Sequence, residues 1–213
     1  MLWKWRNKSI FEQGFSRPLN PASSLLSSVH QFVLCQSVDS STLTNSVQQV
    51  SWRCPPLGWT KLNVDGSASS ATHIARCGGV LRDVAGNWLA GFSVSLGCCD
   101  PYEAEEWALL KGLEVAWSLG VRRVIAESDS QNLINLLLGE DGSSAISLVA
   151  FQIKEFMCRP WEIKLQHVSR FQNQVADYLA RDPTFNSTFI EYCPSSLRAL
   201  VHQDCIGIIP PSD

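Results

Sequence analysis

The stretch Lys61–Ser69, KLNVDGSAS, decides how this chain folds. Leu62 and Val64 alternate with polar neighbours, as in a strand with one buried face. The run then ends on Asp65-Gly66. A carboxylate there has a local explanation, a turn residue ahead of a glycine. It has a different one if acids from elsewhere in the chain reach the same place.

Outward from that strand, CGGVLRD (77–83) and GNWLAGFSVSLG (86–97) read as a second and third strand joined by the turn-like RDVAGN (82–87). Asp100-Pro101-Tyr102-Glu103 reads as a helix start, with Asp at the N-cap, Pro at the first helical position and Glu three residues on. That helix runs to Leu119 and stops at Gly120. VRRVIAESD (121–129) is a fourth strand, SQNLINLLLG (130–139) a short helix, and SSAISLVAFQIKEFMC (143–158) another, ended by Pro160. WEIKLQHVS (161–169) is a fifth strand and NQVADYLARD (173–182) a last helix before Pro183. The fold class is α/β: a five-stranded mixed sheet, a three-strand antiparallel meander plus two parallel strands, with helices on both faces.

Residues 1–50 form an N-terminal extension, with one helix predicted around Leu25, Leu26, Val29, Phe32 and Val33 and a polar linker after it. The domain proper spans 51–182. The tail, 183–213, holds the weakly helical SSLRALVHQD (195–204) and ends in GIIPPSD (207–213).

Bulk composition narrows the function. Hydrophobic residues make up 45% and charged residues 17%, so the chain can bury a core. No apolar run approaches the ~18 residues of a membrane span, and no apolar stretch follows the early positive charges to make a signal peptide. An intracellular site, nuclear or cytoplasmic, is expected, with no membrane partner. The eight cysteines are scattered without a Cys-x-x-Cys pair, so mostly buried, reduced thiols are expected rather than zinc or disulfides. The net charge of −3 argues against a strong sequence-independent grip on nucleic acid.

Three more acids stand where Asp65 stands, in awkward places. On a helical wheel of about 100° per residue, Ala108, Leu109, Gly112, Leu113, Ala116 and Leu119 share one side, and Glu105 lies in its middle. Glu106 sits on the margin. A first-turn position near the helix dipole would also account for Glu105. Asp129 arrives at the C-terminal end of the fourth strand, where open α/β sheets bind ligands, although Asp129 or Ser130 could cap the next helix. Asp177 borders the packed side of its helix, where an i,i+4 pair with Arg181 would explain it. Each acid thus has its own account; together they have a common one. Gathered carboxylates repel unless cations lie between them, and hard oxygen ligands suit Mg²⁺ or Mn²⁺.

In order, KLNVDGS (61–67), GGVLRD (78–83), GNWLAGFS (86–93), EAEEWALLKGLEVAWSLG (103–120), VIAESDS (124–130) and WEIKLQHVSRFQNQVADYLAR (161–181) resemble the type 1 ribonuclease H domain. More closely, they resemble the plant reverse-transcriptase-like version found in non-LTR retroelement polyproteins and genes derived from them. The resemblance covers about residues 59–182. It implies that Asp65, Glu105, Asp129 and Asp177 bind two Mg²⁺ ions, with Mn²⁺ as a substitute. His167 matches the family's loop histidine, which assists proton transfer or product release. Gly66, Ser67, Gln131 and Asn173 match positions near the substrate. The implied reaction is endonucleolytic cleavage of the RNA strand of an RNA–DNA hybrid, carried out by a monomer.

Two features favour another class of function, a domesticated module that binds nucleic acid or a protein partner without turnover. The loop SASSATHIARCGG (67–79) lacks a glycine before Gly78, and residues 60–182 carry eleven Lys and Arg against fifteen Asp and Glu. A retroelement fragment without a cellular role is the third reading.

Overall fold

The computed structural model describes residues 51–139 and 147–206. The helix expected near Leu25–Val33 lies outside the described residues. Strands β1 (Thr60–Ala68), β2 (Ala75–Arg82) and β3 (Trp88–Gly97) form the antiparallel meander, then helix α1 (Pro101–Ser118) leads to β4 (Arg123–Ser128). Helices α2 (Gln131–Leu138) and α3 (Leu148–Met157) precede β5 (Glu162–His167), and α4 (Gln174–Arg181) precedes β6 (Ser187–Ile190) and α5 (Arg198–Ile206). The sheet order is β5-β4-β1-β2-β3-β6, with β4 parallel to β1 and β5 parallel to β4.

The sheet therefore has six strands, not the five expected. The sixth, β6, is four mostly exposed residues that pair with β3 only at Gly91↔Ile190 and Ser93↔Ser187, across an irregularity. So short an edge strand leaves no alternation for a sequence reading to detect. Helix α3 starts at Leu148 rather than at residue 143, because Ser147 caps it: its hydroxyl accepts from the Ala150 N–H at 2.9 Å.

The pleat of β1 sorts its side chains between two cores. Leu62 and Val64 pack with Leu109 and Leu113 of α1 and Ile153 of α3. The opposite face, with Val80 of β2, meets Val175 and Leu179 of α4 and Leu197 and Val201 from the C-terminal segment. Lys61, Asn63 and Asp65 alternate with Leu62 and Val64, and all three are buried. At the start of α1 the expected cap is present: the Asp100 carboxylate accepts from the Glu103 N–H at 2.8 Å, with Pro101 in the first turn.

Six cysteines lie among the described side chains, all as free thiols, but only Cys77 is buried. Cys54, Cys98 and Cys158 are exposed, which corrects the expectation of mostly buried thiols. They fall before β1 and at helix and strand ends, where no core is available. Among the described residues no helix is long and apolar enough to cross a membrane.

Candidate active site

The parallel pairing of β1 with β4 brings Asn63 level with Glu127, so both strands end at the same edge of the sheet. Asp65 lies in the C-terminal half of β1, two residues past Asn63, and Asp129 directly follows β4, two residues past Glu127. The third acid comes from α1, which crosses β1 at very short range. A Cβ on Gly66 would lie 2.4 Å from the backbone of Ala104 and Glu105, so only glycine permits the crossing. That closeness sets the Gly66 backbone amide beside the Glu105 carboxylate, and with the Ser128 side chain it favours the charged form. One carboxylate oxygen each of Asp65, Glu105 and Asp129 then lie within 4.8 Å of one another.

The electrostatics follow from this convergence. Burial raises Asp65 far above the usual carboxylate range, and the charges of Glu105, Asp129 and Asp177 raise it further. Glu105 is pushed up to about 8, by burial first and then by Asp129, against the lowering effect of the Gly66 N–H, the Ser128 hydroxyl and Arg170. Its Oε2 is buried without a hydrogen-bond partner. An all-oxygen donor set with unrelieved repulsion and an orphaned oxygen fits a hard divalent cation.

Two adjacent glutamates are separated by the structure. Glu105 enters the acid group, whereas Glu106 turns away toward α3, where the Ser147 hydroxyl donates to its Oε2 at 2.6 Å. Burial raises Glu106 as well. Asp129 does not cap α2: the N-cap is Ser130, and no side chain makes a capping bond there.

Asp177 lies outside the group of three. Its Oδ1 accepts from Arg170 Nη2 at 2.8 Å and from Arg181 Nε at 3.0 Å, so the expected i,i+4 pair forms. It is nonetheless among the charges that raise Asp65. A Cβ on Gly78, the β2 partner of Asp65, would lie 2.4 Å from the Ala180 backbone, and this bare spot admits the helix that carries Asp177.

The remaining expected residues are scattered around this centre. His167, the last residue of β5, pairs with Ser128 and is exposed. It lines a cavity of about 480 Å³ together with Trp52, Lys61, Glu127 and Gln172. Gln131 is exposed and spends its amide on Asn135 at 2.7 Å. Ser67 is half-buried beside Gly66. Asn173 is only 1% exposed and points inward, donating to the Val64 carbonyl at 2.8 Å and to Asp129 at 3.5 Å. Sequence reasoning missed Ser128, Arg170 and Asn63. The last carried a signal: a polar residue two before Asp65 in a strand must share its face.

Comparison with known proteins points the same way. Residues 63–182 match a family model described as reverse transcriptase-like. An Arabidopsis thaliana protein named as a putative ribonuclease H protein is 32% identical over 168 residues, 77% of this chain but 27% of that protein. The chain thus spans about a quarter of the curated relative it matches. Among solved structures, the N-terminal RNase H domain of a Mycobacterium tuberculosis protein superposes with a TM-score of 0.54 at 22% identity, covering 58% of this chain and 91% of that one. RNase H1 from Halobacterium salinarum gives 0.53 at 25% identity, covering 57% and 94%. LC11-RNase H1, a compost metagenome protein solved in complex with an RNA/DNA hybrid, gives 0.52 at 24%, covering 56% and 92%.

Proposed function

This chain belongs to the reverse transcriptase-like family of ribonuclease H-like domains, and on that footing we propose that it hydrolyses the RNA strand of RNA–DNA hybrids with two divalent cations, Mg²⁺ or in its place Mn²⁺. The observation that carries the reading is the approach of Asp65, Glu105 and Asp129 oxygens to within 4.8 Å, with no Lys or Arg among the described residues paired to these three. Those acids, with Asp177 joining from α4, are the proposed ligands. A bound pair of such ions lowers the pKa of an attacking water and stabilises the leaving 3′ oxygen.

The chain's own groups set the stage for that chemistry. The Gly66 amide and the Ser128 hydroxyl favour the charged form of Glu105. Asn173 steers Asp129. His167, exposed and level with Ser128 on the neighbouring strand, is the proposed proton-transfer group. Ser67, and Gln131 on release of Asn135, are the proposed contacts to backbone and ribose groups of a hybrid, whose shape and 2′-hydroxyls rather than base sequence would be read. With an acidic domain, hybrid binding is expected to be weak and salt-sensitive.

The test is cleavage of an end-labelled hybrid by the full chain. With Mg²⁺ it should yield 5′-phosphate and 3′-hydroxyl ends, cease in EDTA, and fall by roughly three orders of magnitude or more in Asp65→Asn. Folded protein that cuts nothing in Mg²⁺ or Mn²⁺ overturns the proposal. Hybrid binding that persists in EDTA without turnover would instead identify a binding module, the reading motivated by the altered loop and the acidic domain.

A further inference from the structure

Beneath the acid group lies a buried polar chain that the proposed chemistry does not use. We infer that Asn63 is a positioning residue of the site: together with the Val64 carbonyl it sets which end of the Asn173 amide faces Asp129. The inference rests on the nuclease reading and adds a residue to it.

All four hydrogen-bonding positions of the Asn63 amide are engaged. Its Oδ1 accepts from Trp52 Nε1 at 2.9 Å and from Arg82 Nη2 at 2.7 Å. Its Nδ2 donates to Glu127 Oε2 at 2.8 Å and to Asn173 Oδ1 at 3.3 Å. An indole and a guanidinium can only donate, so the Asn63 oxygen must face them and its NH₂ must face the other way. The Asn173 oxygen is thereby drawn toward Asn63, and the Asn173 NH₂ is left for the Val64 carbonyl and Asp129. Reversed, Asn173 would present an oxygen to a carboxylate. The polarity of the last link is set from both sides, by the acceptor-only Val64 carbonyl and, through Asn63, by donor-only groups two links away.

The chain reaches past the family-matched span of 63–182. Trp52 stacks under Arg82, with the guanidinium carbon 3.5 Å from the ring centroid, and Arg82 donates to Asp204 of α5 at 2.6 Å. Trp52 and Asp204 therefore belong to the support of the site although both lie outside the match.

The charge on Glu127 makes a separating experiment possible. Asn63→Asp places a carboxylate against Glu127 and should fold poorly. Adding Glu127→Gln restores the net charge and lets residue 127 donate to residue 63. It does not restore the relay, because a carboxylate at position 63 has no donor and turns the Asn173 NH₂ away from Asp129. The full chain and its E127Q, N63D and N63D/E127Q variants should be titrated with Mn²⁺ by calorimetry, alongside thermal melts and hybrid cleavage. The double variant should melt within a few degrees of E127Q, yet bind Mn²⁺ about 10-fold more weakly and lose kcat by a similar factor, with KM for hybrid within about two-fold. Should that variant not fold, N63A, which deletes the relay without adding charge, should show the same loss of Mn²⁺ affinity. Wild-type affinity in the folded double variant or in N63A overturns the inference alone. Wild-type protein that binds no Mn²⁺ overturns the nuclease reading and this inference with it.

Discussion

Glu127 and Asp204 are buried carboxylates with a cation each: Lys61 Nζ sits 2.8 Å from Glu127, and Arg82 Nη1 sits 2.6 Å from Asp204. Asp65 and Glu105 are also withdrawn from solvent, but they have acids for neighbours. The first set is neutral in sum and further tied by the Asn63 amide and by Lys61 donating to the Arg53 carbonyl at 2.7 Å. The second is left with repulsion and an orphaned oxygen. The difference teaches how to separate charges that hold a fold from charges that await something external. The former are answered by cations within the chain, although burial still raises Asp204; the latter are pushed up by burial first and then by one another's charges, which the Gly66 amide, Ser128 and Arg170 only partly oppose.

Removing one charge from each set should therefore have opposite effects. Arg82→Met strands Asp204 in the interior and takes a donor from Asn63, so a loss of about 3–5 kcal/mol is expected in urea or thermal unfolding. A near-neutral result would erase the contrast. Asp65→Asn relieves repulsion instead. In metal-free protein near pH 8 it should raise stability by on the order of 1 kcal/mol, about 2–4 °C in Tm, while abolishing cleavage. Loss of stability in that variant would mean that Asp65 is structural.

The same contrast predicts a pH slope. Glu105 has a folded pKa of about 8 against an ordinary value of 4.5, so between those limits the native state holds more protons than the unfolded one. Its contribution is fully favourable below about 4.5 and is lost as pH rises through about 8; Asp65 acts in the same direction. Metal-free protein should accordingly melt at lower temperature as pH goes from about 5 to 8. Added Mg²⁺ should flatten the slope, since the ion then takes the protons' place. A slope indifferent to Mg²⁺ would argue against any cation between these acids.

How far these two sets can be read from sequence follows from their chemistry. The acid group is legible because each member violates a local rule: Asp65 is a carboxylate on the alternating pattern of β1, directly before a glycine, and Glu105 lies among apolar positions of α1. The same wheel that puts Glu106 on the margin agrees with its placement in the fold, turned toward Ser147 and away from the acids. The compensated set violates nothing locally beyond the strand face that Asn63 shares with Asp65. Lys61, Asn63 and Arg82 read as ordinary polar positions of half-exposed strands, and their partners lie far along the chain: 64 residues from Asn63 to Glu127, 110 from Asn63 to Asn173 and 122 from Arg82 to Asp204. Pairings over such distances depend on sheet register and on how α5 docks, which no periodicity records. For the same reason β6 escapes a sequence reading: its residues become a strand only because β3 offers an open edge.

Asp177 sharpens the comparison because it belongs wholly to neither set. Two cations answer its charge, as in the compensated set, but both are surface arginines whose side chains are 61% and 54% exposed, and both engage the same oxygen, Oδ1. Exposed ion pairs are worth about 0–1 kcal/mol, because water screens them and long side chains lose freedom in making them. Arg170→Ala should thus change stability by less than about 1 kcal/mol, the smallest effect of the series, where loss of the buried Arg82 costs several. If Asp177 is also a ligand, losing Arg170 removes a competitor for its oxygen, and Mn²⁺ should bind more tightly in calorimetric titration. A destabilisation on the scale of Arg82→Met, with Mn²⁺ affinity unchanged, would move Asp177 into the structural set and leave three acids, not four, to hold metal.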